Sequence, residues 1–307
     1  MRLGIHTSIS RSLEGAAEEA ALLGANTFQI FSASPRMWRS RLPDPVQIKR
    51  LRDARQRFDL HPLAIHTNYL INLASLDPVI RSRSIQAFRG ELERAAAIGA
   101  EYLVVHPGSY RGCSVEESIA AFALALRDAS HGLSTGGVTV LLENTAGAGN
   151  HLGSRFEELQ SIRELARDLT DIPVGYCLDT CHLLAAGFPI HTAAGLRATL
   201  RSAAELLGLS NIYLIHANDS RGPLNSRVDR HAGIGEGHIG LEGFRRILSH
   251  PVLRTKPFIL ETPRPHPGDD RRNLDTLKSL AANRRTKAPN PGRPPGAHGN
   301  AVPPRPA

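Results

Sequence analysis

The chain has 307 residues, 41% of them hydrophobic and 21% charged, which suits one large soluble domain. No apolar run approaches the roughly 18 residues of a membrane span, and three cysteines (Cys113, Cys177 and Cys181) exclude a paired disulfide framework. The formal net charge of +8 favours a polyanionic partner, although Arg284, Arg285, Lys287, Arg293 and Arg305 supply five of those charges and leave residues 1–283 only mildly basic.

The N-terminal MRLGIHTSIS meets His6 and Thr7 after a very short apolar stretch and lacks the apolar segment of a secretory signal, so a cytoplasmic protein is expected. From there, aliphatic runs alternate with amphipathic stretches. The expected strands are Leu3–His6, Thr27–Phe31, Leu63–His66, Tyr102–His106, Val138–Glu143, Val174–Asp179, Ile212–His216 and Phe258–Glu261. The expected helices are Ser12–Leu23, Val46–Phe58, Pro78–Ile98, Val115–Ser130, Phe156–Leu169, Ala193–Leu207, Leu241–Leu248 and Asp270–Ala282. Eight such pairs predict an α/β protein of one domain over 1–283, a closed (β/α)8 TIM barrel rather than a doubly wound sheet. No G-x-G-x-x-G follows the first expected strand and no G-K-[ST] occurs, which argues against a nucleotide cofactor. Residues 284–307 hold seven of the 21 prolines and five basic residues with no acid, the composition of a disordered basic tail.

Six consecutive expected strands end on a potential metal ligand: His66, His106, Glu143, Asp179, His216 and Glu261. In a parallel barrel the C-terminal strand ends open onto one face, so these side chains converge although they span nearly 200 positions of sequence. Unpaired, such a cluster is costly; divalent ions make it stable. His182 lies three residues beyond Asp179, and Asp229-x-His231 can present two ligands on one side of an extended backbone. Cys181 lies within this polar stretch, but it and the other cysteines read better as reduced core or loop residues. Nine N/O donors, with carboxylates shared, suggest two or three metals, zinc first and manganese as the main competitor.

The segments His66-Thr-Asn-Tyr-Leu-Ile-Asn-Leu-Ala74, His106-Pro-Gly108, Glu143-Asn-Thr-Ala-Gly147, Leu178-Asp-Thr-Cys-His182, His216-Ala-Asn-Asp219, Asp229-Arg-His231, Gly235-Glu-Gly237 and Glu261-Thr-Pro263 follow one another along residues 1–283. In content and order they resemble endonuclease IV, the family 2 apurinic/apyrimidinic (AP) endonucleases. That resemblance implies three zinc ions, with manganese an option at one site. His66, His106 and Glu143 would hold the first ion. Glu143 would bridge to a second held by Asp179, His216 and Glu261, and His182, Asp229 and His231 would hold the third.

The resemblance further implies a monomeric DNA repair enzyme acting on double-stranded DNA at abasic sites. A hydroxide positioned under Glu143 would attack the phosphorus 5′ to the abasic sugar, leaving a 3′-hydroxyl and a 5′-deoxyribose phosphate, with Glu261 a second catalytic carboxylate. Trimming of blocked 3′ ends is expected as well. Arg36, in Ser-Pro-Arg36-Met-Trp38, would enter the base stack with Tyr69, while Arg221 and Arg230 would contact DNA. Trp38, the one tryptophan, either joins that loop's contact or covers the barrel top. Two positions depart from the family pattern: Arg221 stands for a usual Lys and Asn225 for a usual Gly, the latter a residue that tolerates positive φ. The rival reading is a metal-dependent sugar isomerase or epimerase of the xylose-isomerase-like type, which shares the barrel.

Overall fold

The computed structural model describes residues 1–39 and 41–282. The basic tail expected over 284–307 lies outside the described residues. Eight parallel strands close into a barrel: β1 (Leu3–His6), β2 (Thr27–Phe31), β3 (Leu63–His66), β4 (Tyr102–Val105), β5 (Thr139–Glu143), β6 (Val174–Asp179), β7 (Ile212–His216) and β10 (Phe258–Leu260), which pairs back onto β1. Between β7 and β10 two short strands, β8 (Asp219–Ser220) and β9 (His231–Ala232), form an antiparallel ribbon outside the barrel. The helices are α1 (Leu13–Leu22), α2 (Pro45–Arg57), α3 (Pro78–Ile98), α4 (Val115–Ser130), α5 (Phe156–Leu169), α6 (Thr180–Ala186), α7 (Ala193–Leu206), α8 (Gly240–Ser249) and α9 (Asp269–Ala282). Among the described residues no helix is long and apolar enough to cross a membrane.

Helix starts follow local chemistry. Ser12 caps α1, Asp44 and Asp77 cap α2 and α3 ahead of Pro45 and Pro78, and Ser114 with Glu117 forms a reciprocal capping box on α4.

The core has two parts. Most buried apolar residues lie between the strands and the helical ring, among them Ile5, Phe28, Leu63, Leu103 and Phe258. A smaller cluster fills the barrel interior: Ala64, Val104, Leu141, Cys177, Leu214 and Ile259, one from each of six strands. Strand side chains alternate between faces with period two, so the residue two further along each strand points inward one layer higher. Those residues are His66, His106, Glu143, Asp179, His216 and Glu261. On the remaining two strands the same step leads from Gly4 to His6 and from Thr27 to Gln29. Gly4 is required at its place, since a Cβ there would stand 1.9 Å from the carbonyl oxygen of Thr27.

The structure adjusts the expected boundaries. His106 and Glu261 lie one residue beyond β4 and β10 rather than within them, because the ladder ends where the chain turns into the loops. Helix α6 was not expected; with seven residues it is too short to show a period, and Asp179 caps it by accepting from the His182 N–H at 2.8 Å. The three cysteines are free, with Cys177 in the barrel interior and Cys181 buried in α6.

Candidate metal centre

Above the apolar layer the barrel opens into a cavity of ≈ 730 Å³, lined by histidines, carboxylates and arginines together with Phe31 and Tyr69. All nine donors expected from sequence come together here: six line the cavity, and Glu143, Asp179 and His216 lie fully buried against them. They fall into three groups in which the donor atoms lie within 4.8 Å of one another: His66, His106 and Glu143; Glu143, Asp179, His216 and Glu261; His182, Asp229 and His231. Cys181 also lies within reach of Asp179 and His231, but burial raises its thiol to about 12 and its Sγ faces the Arg230 carbonyl at 3.7 Å. That keeps it a protonated packing group.

Glu143 joins two of the groups, one through each oxygen. Its Oε2 lies 3.0 Å from His66 Nε2 and 3.6 Å from His106 Nε2, while its Oε1 lies 2.9 Å from His216 Nδ1. Burial alone would raise this carboxyl, yet the imidazoles of His216 and His106 hold it well below the usual range. Asp179, equally buried, is raised by that burial. Asp229 reaches from the ribbon to His182 Nε2 at 3.1 Å and His231 Nε2 at 3.5 Å.

The donor set fits divalent metal. His66, His182 and His231 each donate an Nδ1–H to a main-chain carbonyl, of Thr67 (2.8 Å), Asn144 (2.9 Å) and Glu261 (3.0 Å), which leaves Nε2 as a lone pair facing the cluster. The Nε2 atoms of His182 and His231 are buried and meet an Asp229 oxygen, at 3.1 and 3.5 Å, without the geometry of a hydrogen bond. Buried imidazole nitrogens are seldom left so, and a cation between them and the carboxylates answers for both.

The residues expected to contact DNA separate into two places. Arg221 and Arg230 line the cavity from the ribbon, where Arg221 Nε donates to the His231 carbonyl at 3.2 Å. Tyr69, 69% exposed, stands on the opposite wall with its ring edge-on to Phe31 at 5.3 Å. Arg36 is exposed on the loop after β2 and takes no part in the cavity wall. Trp38 is half-buried and packs against the main core. Asn225 adopts φ of 63°, as its substitution for Gly requires.

Sequence reasoning passed over four residues of this site. His6 ends β1 and Gln29 lies within β2, both in the inward polar layer; Gln29 contacts His6, His216 and Glu261. Phe31 packs against His6 and His66 with ring centroids 4.6 and 5.8 Å away. Arg264 lines the cavity, paired with Asp270 at 3.0 Å. The inward period of two, extended to β1 and β2, would have found the first pair.

Residues 17–282 match the family of xylose isomerase-like TIM barrels. A relative from Solibacter usitatus (strain Ellin6076), named "Probable endonuclease 4", is 73% identical over 293 residues, covering 95% of this chain and 100% of its own. One of the same name from Halothermothrix orenii is 40% identical over 264 residues, covering 86% and 94%. Among solved structures, endonuclease IV from Thermus thermophilus superposes with a TM-score of 0.79 at 39% identity, covering 91% of this chain and 98% of that one. A D-tagatose 3-epimerase-like protein superposes at 0.65 with 22% identity, a likeness of fold.

Proposed function

Because the chain belongs to the endonuclease IV family within the xylose isomerase-like TIM barrels, we propose that it is a DNA repair hydrolase that cuts the phosphodiester backbone 5′ to abasic sites. The products are a 3′-hydroxyl and a 5′-deoxyribose phosphate, and removal of blocked 3′ ends uses the same chemistry. The observation that carries this reading is the split of Glu143 between two donor groups, with a third group beside them at the floor of an open, arginine-lined cavity.

Three zinc ions suit the five imidazoles and four carboxylates, with manganese an option at one position. When bound, such ions supply positive charge to the phosphate oxygens and lower the pKa of water. The chain's own residues do the rest. Glu143, fully buried and held ionised, sits at the centre of the cluster as the carboxylate beneath the attacking oxygen. Glu261 reaches the cavity and can orient the nucleophile by accepting its hydrogen. Arg221 and Arg230 face the phosphates, and Arg36 with Tyr69 fills the stack vacated when the sugar turns out.

A sugar isomerase on the same barrel is the alternative, and a direct comparison of substrates separates the two. The zinc-loaded protein is incubated with an abasic-site duplex and, separately, with a panel of aldoses and ketoses. Incision 5′ to the lesion with no sugar turnover is expected. Sugar isomerisation without incision would overturn the proposal.

A further inference from the structure

Within the polar layer one residue is neither acid, base nor metal donor, yet it touches three residues that are. Gln29, in β2, is fully buried. Its side-chain nitrogen donates to Glu261 Oε1 at 2.6 Å and lies 3.0 Å from His6 Nδ1, while its oxygen lies 2.9 Å from His216 Nε2. The direction of these bonds follows from the partners. A carboxylate only accepts, so the amide atom facing Glu261 is the nitrogen and the atom facing His216 is the oxygen. An amide oxygen only accepts in its turn, so His216 carries its proton on Nε2. The nitrogen's second hydrogen is then directed to His6 Nδ1.

This bond makes His216 the reverse of its neighbours. His66, His182 and His231 each give an Nδ1–H to a backbone carbonyl and turn Nε2 to the cluster. In His216 it is Nδ1 that faces the cluster, 2.9 Å from Glu143 Oε1 and 3.3 Å from Glu261 Oε2, and the group holding the ring is a side chain. Main-chain carbonyls come with any sequence, whereas this acceptor depends on residue 29.

We propose that Gln29 is a positioning residue that sets the Nε2–H tautomer of His216 and the rotation of the Glu261 carboxylate, so that both present donor atoms to the same divalent ion. This rests on the reading of the cluster as a metal centre. A neutral amide suits the task because it accepts from one donor group and donates to the other without adding charge to a site that already holds four carboxylates. Loss of an outer partner of this kind typically weakens metal binding by about 10- to 100-fold.

Two measurements test it. In the first, zinc-loaded wild type, Gln29→Met and Gln29→Glu are titrated with a graded chelator and the zinc retained is counted. Met keeps the volume but neither hydrogen bond, so one ion should dissociate about 10- to 100-fold more readily while the others stay as in wild type. Glu keeps the oxygen facing His216 but sets a fifth carboxyl against Glu261 in place of the donor, so its zinc loss should be at least as large. Wild-type retention in Gln29→Met, or uniform loss of all ions together with a lowered Tm of the chelated protein, would overturn the proposal.

The second measurement needs no variant at position 29. Long-range ¹H–¹⁵N spectra of the zinc-loaded wild type labelled at histidine, with the His216 signal assigned through His216→Asn, should show His216 protonated on Nε2 and metal-bound through Nδ1. His66, His182 and His231 should show the opposite pattern. His216 bound through Nε2 defeats the proposal even if Gln29→Met does not fold. A wild type that takes up no zinc would instead defeat the metal reading on which it rests.

Discussion

The backbone N–H of Tyr69 donates to the carbonyl of Pro35 at 3.2 Å, tying the loop after β3 to the loop after β2 one residue before Arg36. Asn68 repeats the link through its side chain, which donates to the Met37 carbonyl at 3.4 Å. The arginine and the tyrosine are thus presented by one braced unit beside the cavity. Replacing both with Ala should weaken binding to an abasic duplex strongly, with about 1–3 kcal/mol from the lost aromatic stacking alone. Zinc content and hydrolysis of bis-p-nitrophenyl phosphate should stay at wild type, because a small diester needs no displaced stack. Parallel losses on both substrates, seen in side-by-side kinetics, would assign these residues to support of the metal centre.

Metal analysis of the purified protein should find close to three ions per chain, mostly zinc. His182→Ala removes the Nε2 donor that faces Asp229 at 3.1 Å and should cost the third ion selectively. Mass spectrometry under native conditions reads the stoichiometry directly. A fully active wild type with a single ion would rule out the three-ion assignment.

Proton competition should mark the same position. Burial works against a charge on His182, but Asp179, Asp229 and Glu143 raise it to about 10 in the metal-free chain. At pH 7 the ring is therefore protonated, and binding must displace that proton. Affinity for the ion held there should rise by about tenfold per pH unit up to a pH near the raised pKa. An affinity already flat above pH 7 in chelator-competition titrations would contradict this.

Asp219, fully buried, accepts five backbone N–H groups, from Ser220, Gly235, Gly237, Ile239 and Gly240, at 2.8–3.2 Å. It gathers the loop before α8 against the ribbon that carries Arg221, Arg230 and His231. Asp219→Ala leaves those donors without an acceptor and should destabilise the fold by roughly 3 kcal/mol or more. Thermal unfolding of the chelated proteins checks this, and a Tm within 2 °C of wild type would show that water replaces the carboxylate.

Deleting residues 284–307 removes five cations and should flatten the dependence of log K on log salt, each lost phosphate contact changing the slope by about 0.9. Single-turnover cleavage at low salt should hardly change. A collapse of that rate would mean the segment enters the active site.

The barrel was legible because its strands and helices carry different periods, and the nine donors because each stands at or one step past the end of a barrel strand or in the loop that follows. His6 and Gln29 escaped for a specific reason. A rule built on six consecutive strand ends stops short of β1, and Gln29 is not at a strand end, since β2 runs on through Ile30 to Phe31. Ribbon β8–β9 is set by pairing between separate segments, such as Arg221 N–H to the Arg230 carbonyl at 2.9 Å, and helix α6 has seven residues, so neither leaves a periodic trace. Nor does spacing reveal which nitrogen of a histidine points inward. That depends on an acceptor placed by another strand.

The two-residue step from the apolar plug to the polar layer makes each strand a ruler with only two readings. Insert or delete one residue between Ala64 and His66, or between Leu141 and Glu143, and the donor turns to the helical side, where a charged or imidazole group meets Leu63 and Leu103 instead of its partners. Substitution can tune this floor one atom at a time, but length change within a strand destroys a ligand outright. Variation in chain length should therefore be confined to the loops above and the turns below, where the substrate is met and the floor is not.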